Sequence, residues 1–278
     1  MHPEQLKLFA EIEDTHWWFA ARRHIVARLV ERIFPGRARA RILDIGCGTG
    51  ANLGELAERH DCIGMDASPT AIELARRRIP GVTFQQGSSA EAMEPVAAGV
   101  NLLLMMDVLE HVADDFLFFS ALLAAAAPGT CFLITVPADM TLWSRHDETV
   151  LHYRRYDRGR LQSVWTGLPV RVRLLSYFNS RLYPAIKLAR MVARIRRRSF
   201  GDAGTDFTTP RAWLNRMLRA IFAGESDALV RTLDRPGTMA YRRGVSLIAL
   251  LERQKGDLSP RTKPPGVAPD PYLPSANS

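Results

Sequence analysis

The amino-acid sequence predicts an α/β protein built on a seven-stranded, mainly parallel sheet, with a helical cap before the sheet and a helical insertion before its last strand. Three observations carry this reading. Apolar runs of strand length alternate with helical segments between residues 41 and 137, the first run ends in the glycine-rich turn Gly46-Cys47-Gly48-Thr49-Gly50, and one more strand pattern, Val245 to Leu251, returns after a long basic stretch. Strands that alternate with helices of about ten residues join by right-handed crossovers into a parallel sheet.

The elements follow in order. Residues 3-34 read as two helical pieces broken around Thr15-His16, the second keeping Ile25, Val26, Leu29, Val30 and Ile33 on one face. Then come strand Arg41-Asp44, the glycine loop, helix Asn52-Arg59, strand Cys62-Met65, helix Pro69-Arg78 and strand Val82-Gln85. Strand Val100-Met106, helix Asp115-Ala126 and strand Thr130-Val136 complete the alternating part. A polar and aromatic stretch runs on to Tyr156, followed by a short helix near Arg158-Thr166 and strand Val170-Tyr177. The last two strands are expected to pair antiparallel at one edge. The domain reading is therefore a helical cap over 1-40, a nucleotide-binding core over 41-178, a basic helical insertion over 179-235, a final core strand within 236-255, and a proline-containing disordered tail over 256-278.

With 278 residues and 47% hydrophobic content the chain can bury a sizeable core. Its N-terminus carries Glu4, Glu11, Glu13 and Asp14 without an apolar run, which excludes a visible targeting peptide and predicts a cytoplasmic protein, at most peripheral to a membrane. The longest nearly apolar stretch, Phe116 to Ala127, is about half of what a bilayer crossing needs. Cys47, Cys62 and Cys131 lack metal-ligand spacing and read as reduced structural thiols. The net charge of +8 conceals an asymmetry: residues 1-150 hold 13 Lys and Arg against 20 Asp and Glu, residues 151-278 hold 24 against 9. Such segregation points either to an anionic partner for the second half or to a plainly basic surface.

The glycine loop places flexible backbone and a helix N-terminus at the end of the first strand, where a ligand can approach closely. Alone it also satisfies a dinucleotide G-x-G-x-x-A fingerprint, with Asp66 placed 20 residues downstream where a ribose-binding acid would sit, so a nicotinamide-dependent oxidoreductase stays open. Three further features discriminate. Asp44 precedes the first glycine by two residues and suits an ammonium group; Asp66 closes the second strand in Gly64-Met65-Asp66-Ala67-Ser68-Pro69; Asp107-Val108-Leu109-Glu110-His111-Val112 follows the fourth strand.

In order and spacing across residues 41-137 this set resembles the class I S-adenosylmethionine-dependent methyltransferases. The resemblance implies a Rossmann-like core and S-adenosyl-L-methionine as cofactor, with its methionine part at Asp44, Gly46 and Gly48, its ribose at Asp66, and further cofactor contacts from Cys47, Ala67, Asp107 and Val108. At the adenine edge, where relatives usually present an Asp, this chain has Gly87-Ser88-Ser89-Ala90, so Ser88 and Ser89 are expected to contact the ring with less charge assistance.

Methyl transfer needs the acceptor atom held in line, and a base only when that atom is a poorly ionised hydroxyl or a protonated amine. Leu142-Trp143-Ser144-Arg145-His146-Asp147-Glu148 and His152-Tyr153-Arg154-Arg155-Tyr156 concentrate ionisable and aromatic groups after the fifth strand. With Asp14-Thr15-His16-Trp17-Trp18-Phe19 they resemble a subgroup of bacterial and archaeal methyltransferases associated with glycan, lipid and natural-product pathways. The expected acceptor contacts are Trp17, Trp18, His152, Arg155 and Tyr156. The expected base is His146, oriented by Asp147 or Glu148, with His111 as second candidate. A metal reading on His146, Asp147, Glu148 and His152 is set aside, because adjacent residues rarely converge on one ion. The basic run 181-198 has apolar positions at 182, 186, 189 and 193 and fits either an anionic membrane face or a substrate-covering helix. The expected activity is O-methylation of a small-molecule, glycan or lipid-linked acceptor. A membrane- or RNA-associated protein that keeps the fold without transfer is the further alternative, although no RNA-binding motif accompanies the charge.

Overall fold

A computed structural model describes residues 3-36, 39-87, 96-97, 99-195, 208-235 and 237-258. Two helices open the chain, α1 (Pro3–Ile12) and α2 (Trp17–Ile33), and the seven strands are β1 (Arg41–Ile45), β2 (Asp61–Asp66), β3 (Thr83–Gln86), β4 (Leu102–Met106), β5 (Cys131–Pro137), β6 (Val170–Phe178) and β7 (Ser246–Arg253). They form one sheet in the order β3-β2-β1-β4-β5-β7-β6. The first five strands pair parallel, and β7 runs antiparallel between β5 and β6. Every residue of β4 and β5 is buried. Their unbroken apolar sequences reflect a sheet covered on both faces.

The helices on the sheet are α3 (Gly54–Ala57), α4 (Pro69–Arg78), α5 (Asp115–Ala125), α6 (Arg145–Thr149) and α7 (Arg158–Ser163). Local chemistry sets their ends. Ser68 accepts from the Ala71 amide at the start of α4, Pro69 occupies its first turn, and Arg76, Arg77 and Arg78 lie in its last turn, where cations favour the helix dipole. Asp114 caps α5 through the Leu117 amide. The expected helix over 52-59 is interrupted: a 3-10 turn at Ala51–Leu53 leads into the four residues of α3, with Gly54 at the junction.

Between β6 and β7 lie α8 (Tyr183–Ile195), α9 (Ala212–Ala223) and α10 (Ser226–Thr232). One core layer joins α2 to these insertion helices through Ile25, Leu29, Phe222 and Leu229; the other buries Phe116, Phe119, Leu123 and Trp165 under α5 and α7. The N-terminal cap and the insertion, far apart in sequence, therefore cover the same face. Asn215 of α9 accepts from the Trp17 amide at 2.9 Å and donates to the Thr15 carbonyl at 2.8 Å. Residues 259-278, the greater part of the expected tail, lie outside the described residues. No described helix is long and apolar enough to cross a membrane.

Candidate functional site

A cleft of about 690 Å³ opens at the C-terminal ends of β1, β2, β4 and β5, between the sheet and the helices α1, α2 and α8. Its floor is the glycine loop. Gly46 has φ +68°, and a Cβ there would fall 2.7 Å from Val108 Cγ2, so the close approach of the two loops requires glycine at this position. The Gly46 and Cys47 amides both donate to the Met65 carbonyl, at 2.8 and 3.0 Å, fixing the loop against the end of β2. Asp66 accepts from the Gly48 amide at 2.9 Å and the Ser68 amide at 2.8 Å, which ties its carboxylate between two loops while it lines the cleft.

Ala67, Cys47 and Val108 also line the cleft. Burial drives the Cys47 thiol far above its ordinary range, so it sits there as a neutral wall. Asp44 lies behind the loop with no exposed surface. One of its oxygens is 3.4 Å from Asn52 Nδ2, Asn52 itself lines the cleft, and the other oxygen has no hydrogen-bond partner. Burial pushes its carboxyl up to about 7. Ser88 and Ser89 lie outside the described residues.

Asp107 lines the cleft in a left-handed conformation, φ +59°, but its carboxylate is engaged: it accepts from Thr135 Oγ1 at 3.1 Å and is ion-paired with Arg22. The Arg22 guanidinium in turn lies over the Trp18 ring, 4.5 Å from its centroid. Trp17 and Trp18 both line the cleft, and Arg22 ties Trp18 to the end of β4 through Asp107. Arg78 pairs with Glu13 and donates to Thr49 Oγ1 at 3.0 Å, joining the N-terminal segment to the glycine loop.

The wall opposite the glycine loop carries His111, His146 and His152. Asp147, one of the two acids expected to orient His146, accepts from Arg155 Nε at 2.8 Å and Nη2 at 3.0 Å, and its Oδ1 lies 2.9 Å from His152 Nδ1. Burial alone would raise this carboxyl, but the His152 hydrogen bond and the Arg155 charge outweigh it and hold the carboxyl well below the usual range. Arg155, expected as an acceptor contact, does line the cleft, and its guanidinium is engaged by Asp147 and the Ala138 carbonyl, so it also braces the site. Tyr156 is no acceptor contact at all: it is fully buried beneath the sheet and donates to Asp115 Oδ2 at 2.8 Å. Its neighbour Arg154 donates to the Val112 and Ala113 carbonyls at 2.6 and 2.8 Å, pinning the segment after β4.

His111 is lowered to about 3 by burial and by the nearby His152, so it stays neutral near pH 7 and is a weak proton acceptor. Two groups escaped the sequence reading. Glu110 is fully buried in the same turn, and Asn179, at the end of β6 with φ +51°, is fully buried yet lines the cleft with both amide atoms unpartnered. For Glu110 a signal existed, since it adjoins His111 at a strand end; for Asn179 no pattern marks the position. In α8, Ile186, Ala189 and Arg190 line the cleft, and Leu182, just before the helix, is buried in the core. Of the four apolar positions of this run, 182 is buried, 186 is half-buried and 189 is exposed beside the cleft, while Leu188 and Met191 of the same helix are exposed. Of the fourth, Ala193, no side-chain placement is described.

A methyltransferase domain matches residues 18–183. Over 117 residues the chain is 33% identical to a trans-aconitate 2-methyltransferase of Methylobacterium nodulans, covering 41% of this chain and 44% of that protein. Over 93 residues it is 38% identical to a ubiquinone biosynthesis O-methyltransferase of Brucella ovis, covering 32% of this chain and 38% of the relative. The chain thus spans less than half the length of these two relatives. Among solved structures, the plantazolicin methyltransferase BamL in complex with a triazolic desmethylPZN analogue and SAH has the same fold, with a TM-score of 0.56 at 15% identity over 91% of each chain.

Proposed function

This chain belongs to the methyltransferase-domain family, with S-adenosylmethionine as its cofactor, and from that premise we propose that it transfers a methyl group to an oxygen of a small-molecule acceptor. The observation that carries the reading is the continuity of the cleft, in which the glycine loop and a wall of three histidines enclose one cavity. The match to a relative named as an O-methyltransferase supports oxygen as the methylated atom. Membership of the family also resolves the ambiguity of the glycine loop against a nicotinamide cofactor.

S-adenosylmethionine supplies an electrophilic methyl group on a sulfonium. The residues fit it: the backbone of Gly46 to Gly48 lines the cleft floor, Asp66 offers a carboxylate at the end of β2, and the buried, unpartnered oxygen of Asp44 provides negative potential behind the loop for an ammonium group. Trp18 and Arg22 line the cleft as a packed aromatic and ion-paired wall, and reduced access of water along such a wall strengthens charge interactions beside it. On the acceptor side Asn179 presents a free donor and a free acceptor, suited to fixing an oxygen-bearing group. His146 takes the hydroxyl proton; His111, lowered to about 3, is too weak a base for that task.

Two measurements test this reading. Titration calorimetry with S-adenosylhomocysteine should show binding that Asp66→Ala weakens by at least tenfold, and a thermal-shift comparison should show stabilisation by S-adenosylhomocysteine and none by NADH. Stabilisation by NADH alone would overturn the cofactor assignment. Release of S-adenosylhomocysteine on incubation with small hydroxyl-bearing acceptors, lost in His146→Ala with cofactor binding retained, tests the acceptor side.

A further inference from the structure

One group on the histidine wall has no explanation in cofactor binding or in proton transfer. Glu110 has zero exposure, and neither of its carboxyl oxygens meets a hydrogen-bond partner on another residue. Leaving a buried carboxylate unpaired is strongly unfavourable, so such a group is either protonated or awaiting a cation. Its surroundings favour a cation. We propose that Glu110, His111 and His152 form a binding site for a divalent first-row transition-metal ion, with the ion's remaining positions open to the cleft.

The ligating atoms of these three residues all lie within 4.8 Å of one another, and His152 Nε2 is 3.9 Å from Glu110 Oε1. Ligands held about 2.0–2.2 Å from a common ion sit somewhat closer than this, so a modest contraction of the cluster closes the site. The supporting contacts are those of a metal centre. His152 Nδ1 lies 2.9 Å from Asp147 Oδ1, and a carboxylate on one ring nitrogen fixes the tautomer that offers the other to a metal. Asp147 is itself held by two hydrogen bonds from Arg155. His111 has a hydrogen bond to the Leu151 backbone, which orients its ring in the same way.

Electrostatics agree with this arrangement. The two imidazoles stand 4.7 Å apart between centroids, so protonating both would be repulsive, whereas one ion is served by two neutral rings. The nearest guanidiniums do not oppose a cation, because Arg22 is neutralised by Asp107 and Arg155 by Asp147. Two imidazoles and one carboxylate suit zinc, manganese, iron(II) or cobalt(II) better than calcium or magnesium, which prefer all-oxygen sites. The inference deepens the oxygen-acceptor reading and rests on it in one respect: an ion with open positions facing the cleft selects acceptors that carry a hydroxyl beside a second oxygen donor, and lowers the pKa of that hydroxyl.

Cobalt(II) is the probe, since its visible absorption reports coordination independently of any transfer. EDTA-treated full-length protein should take up one equivalent of cobalt(II) with a visible absorption band. Glu110→Gln and His152→Ala should abolish the band while still binding S-adenosylhomocysteine, and Asp147→Asn should weaken cobalt(II) binding by about 10- to 100-fold. In the metal-free protein Glu110→Gln should unfold at the same temperature or higher, because it removes an unpaired buried acid. A purely structural glutamate would instead lose stability on that change. Absence of cobalt(II) uptake in protein that binds S-adenosylhomocysteine, or uptake that Glu110→Gln leaves unaltered, overturns the metal site. Uptake of cobalt(II) without S-adenosylhomocysteine binding keeps the metal site and overturns the transferase reading; binding of neither overturns both.

Discussion

Asp147 and Asp44 are both buried carboxyls beside the cleft, and their environments drive them in opposite directions. Asp147 gains Arg155 and His152 and is held low, so the stability it contributes is present at neutral pH and is lost as pH falls through its depressed folded pKa. Replacing it with Asn leaves Arg155 buried without a counter-charge; the expected loss is about 3–5 kcal/mol by urea denaturation at pH 7. Asp44 is raised from 3.8 to about 7 by burial. Below pH 4 both folded and unfolded forms hold its proton; between 4 and 7 the unfolded chain releases it while the folded chain retains it. Stability of the cofactor-free protein should therefore decline as pH rises across that window and level off above it. Asp44→Asn should flatten the decline in thermal melts at pH 5 and pH 8, and an equally steep decline in the variant would show that another group is responsible. Of these residues the sequence made Asp44, Asp66, His111, His146 and His152 visible, because each sits in a motif or beside a strand end. It hid that His152 shares the Asp147 carboxylate with Arg155, since alternate pairings five and eight residues apart are equally compatible with the local sequence. Tyr156 misled for a related reason: an aromatic next to two arginines looks like a recognition surface until burial shows that its hydroxyl serves Asp115.

Among the elements, the strands were the most legible and the insertion the least. Continuous apolar runs such as Leu102–Met106 and Cys131–Pro137 have one stable use, as strands covered on both faces. An amphipathic basic helix has two, because a membrane and a protein groove accept the same apolar stripe. In α8, Ile186 and the exposed Ala189 line the cleft, and polar ties hold the helix to the loop after β5. Tyr183 donates to Asp139 Oδ2 at 2.6 Å, Lys187 lies 3.2 Å from the same oxygen, and Arg190 donates to the Leu142 carbonyl. Burial opposes ionisation of Asp139, but its hydrogen bonds prevail and lower it to about 2, so it remains charged through the working range. Asp139→Ala should release the helix. Amide exchange over 183-192 is expected to quicken about five- to tenfold relative to the parent, corresponding to about 1–1.5 kcal/mol, with exchange in β4 and β5 unchanged. Uniform acceleration across the sheet would mean that Asp139 supports the whole fold.

At the scale of the molecule, part of the charge division between the halves of the sequence is met within the chain. Arg155 meets Asp147, Arg160 meets Asp115, and Arg28 meets Asp227, so acids of the first half compensate arginines of the second and the reverse. Charge counted along a sequence cannot reveal this, because folding decides which charges become neighbours. The same holds for the cover of the cleft, where residues 1-36 and the insertion read as separate pieces but meet at Asn215, His16 and Trp17. His16 Nε2 lies 3.2 Å from the Thr208 carbonyl, and burial lowers this imidazole to about 4, so it enters the joint as a neutral ring. Asn215 carries the joint's two shorter bonds, to the Trp17 amide and the Thr15 carbonyl, and both groups are main-chain atoms at the turn into α2. Asn215→Ala leaves the Trp17 amide at the first turn of α2 without its acceptor, at an expected cost of about 1–3 kcal/mol. Because Trp17, Trp18 and Arg22 on α2 line the cleft, the loss should reach the ligand as well: S-adenosylhomocysteine binding should weaken by several-fold in titration calorimetry, while Asn215→Asp, which preserves the acceptor for the Trp17 amide, should recover part of it. If Asn215→Ala lowers stability and leaves the affinity untouched, the two covering segments are coupled in folding but not in holding the cofactor.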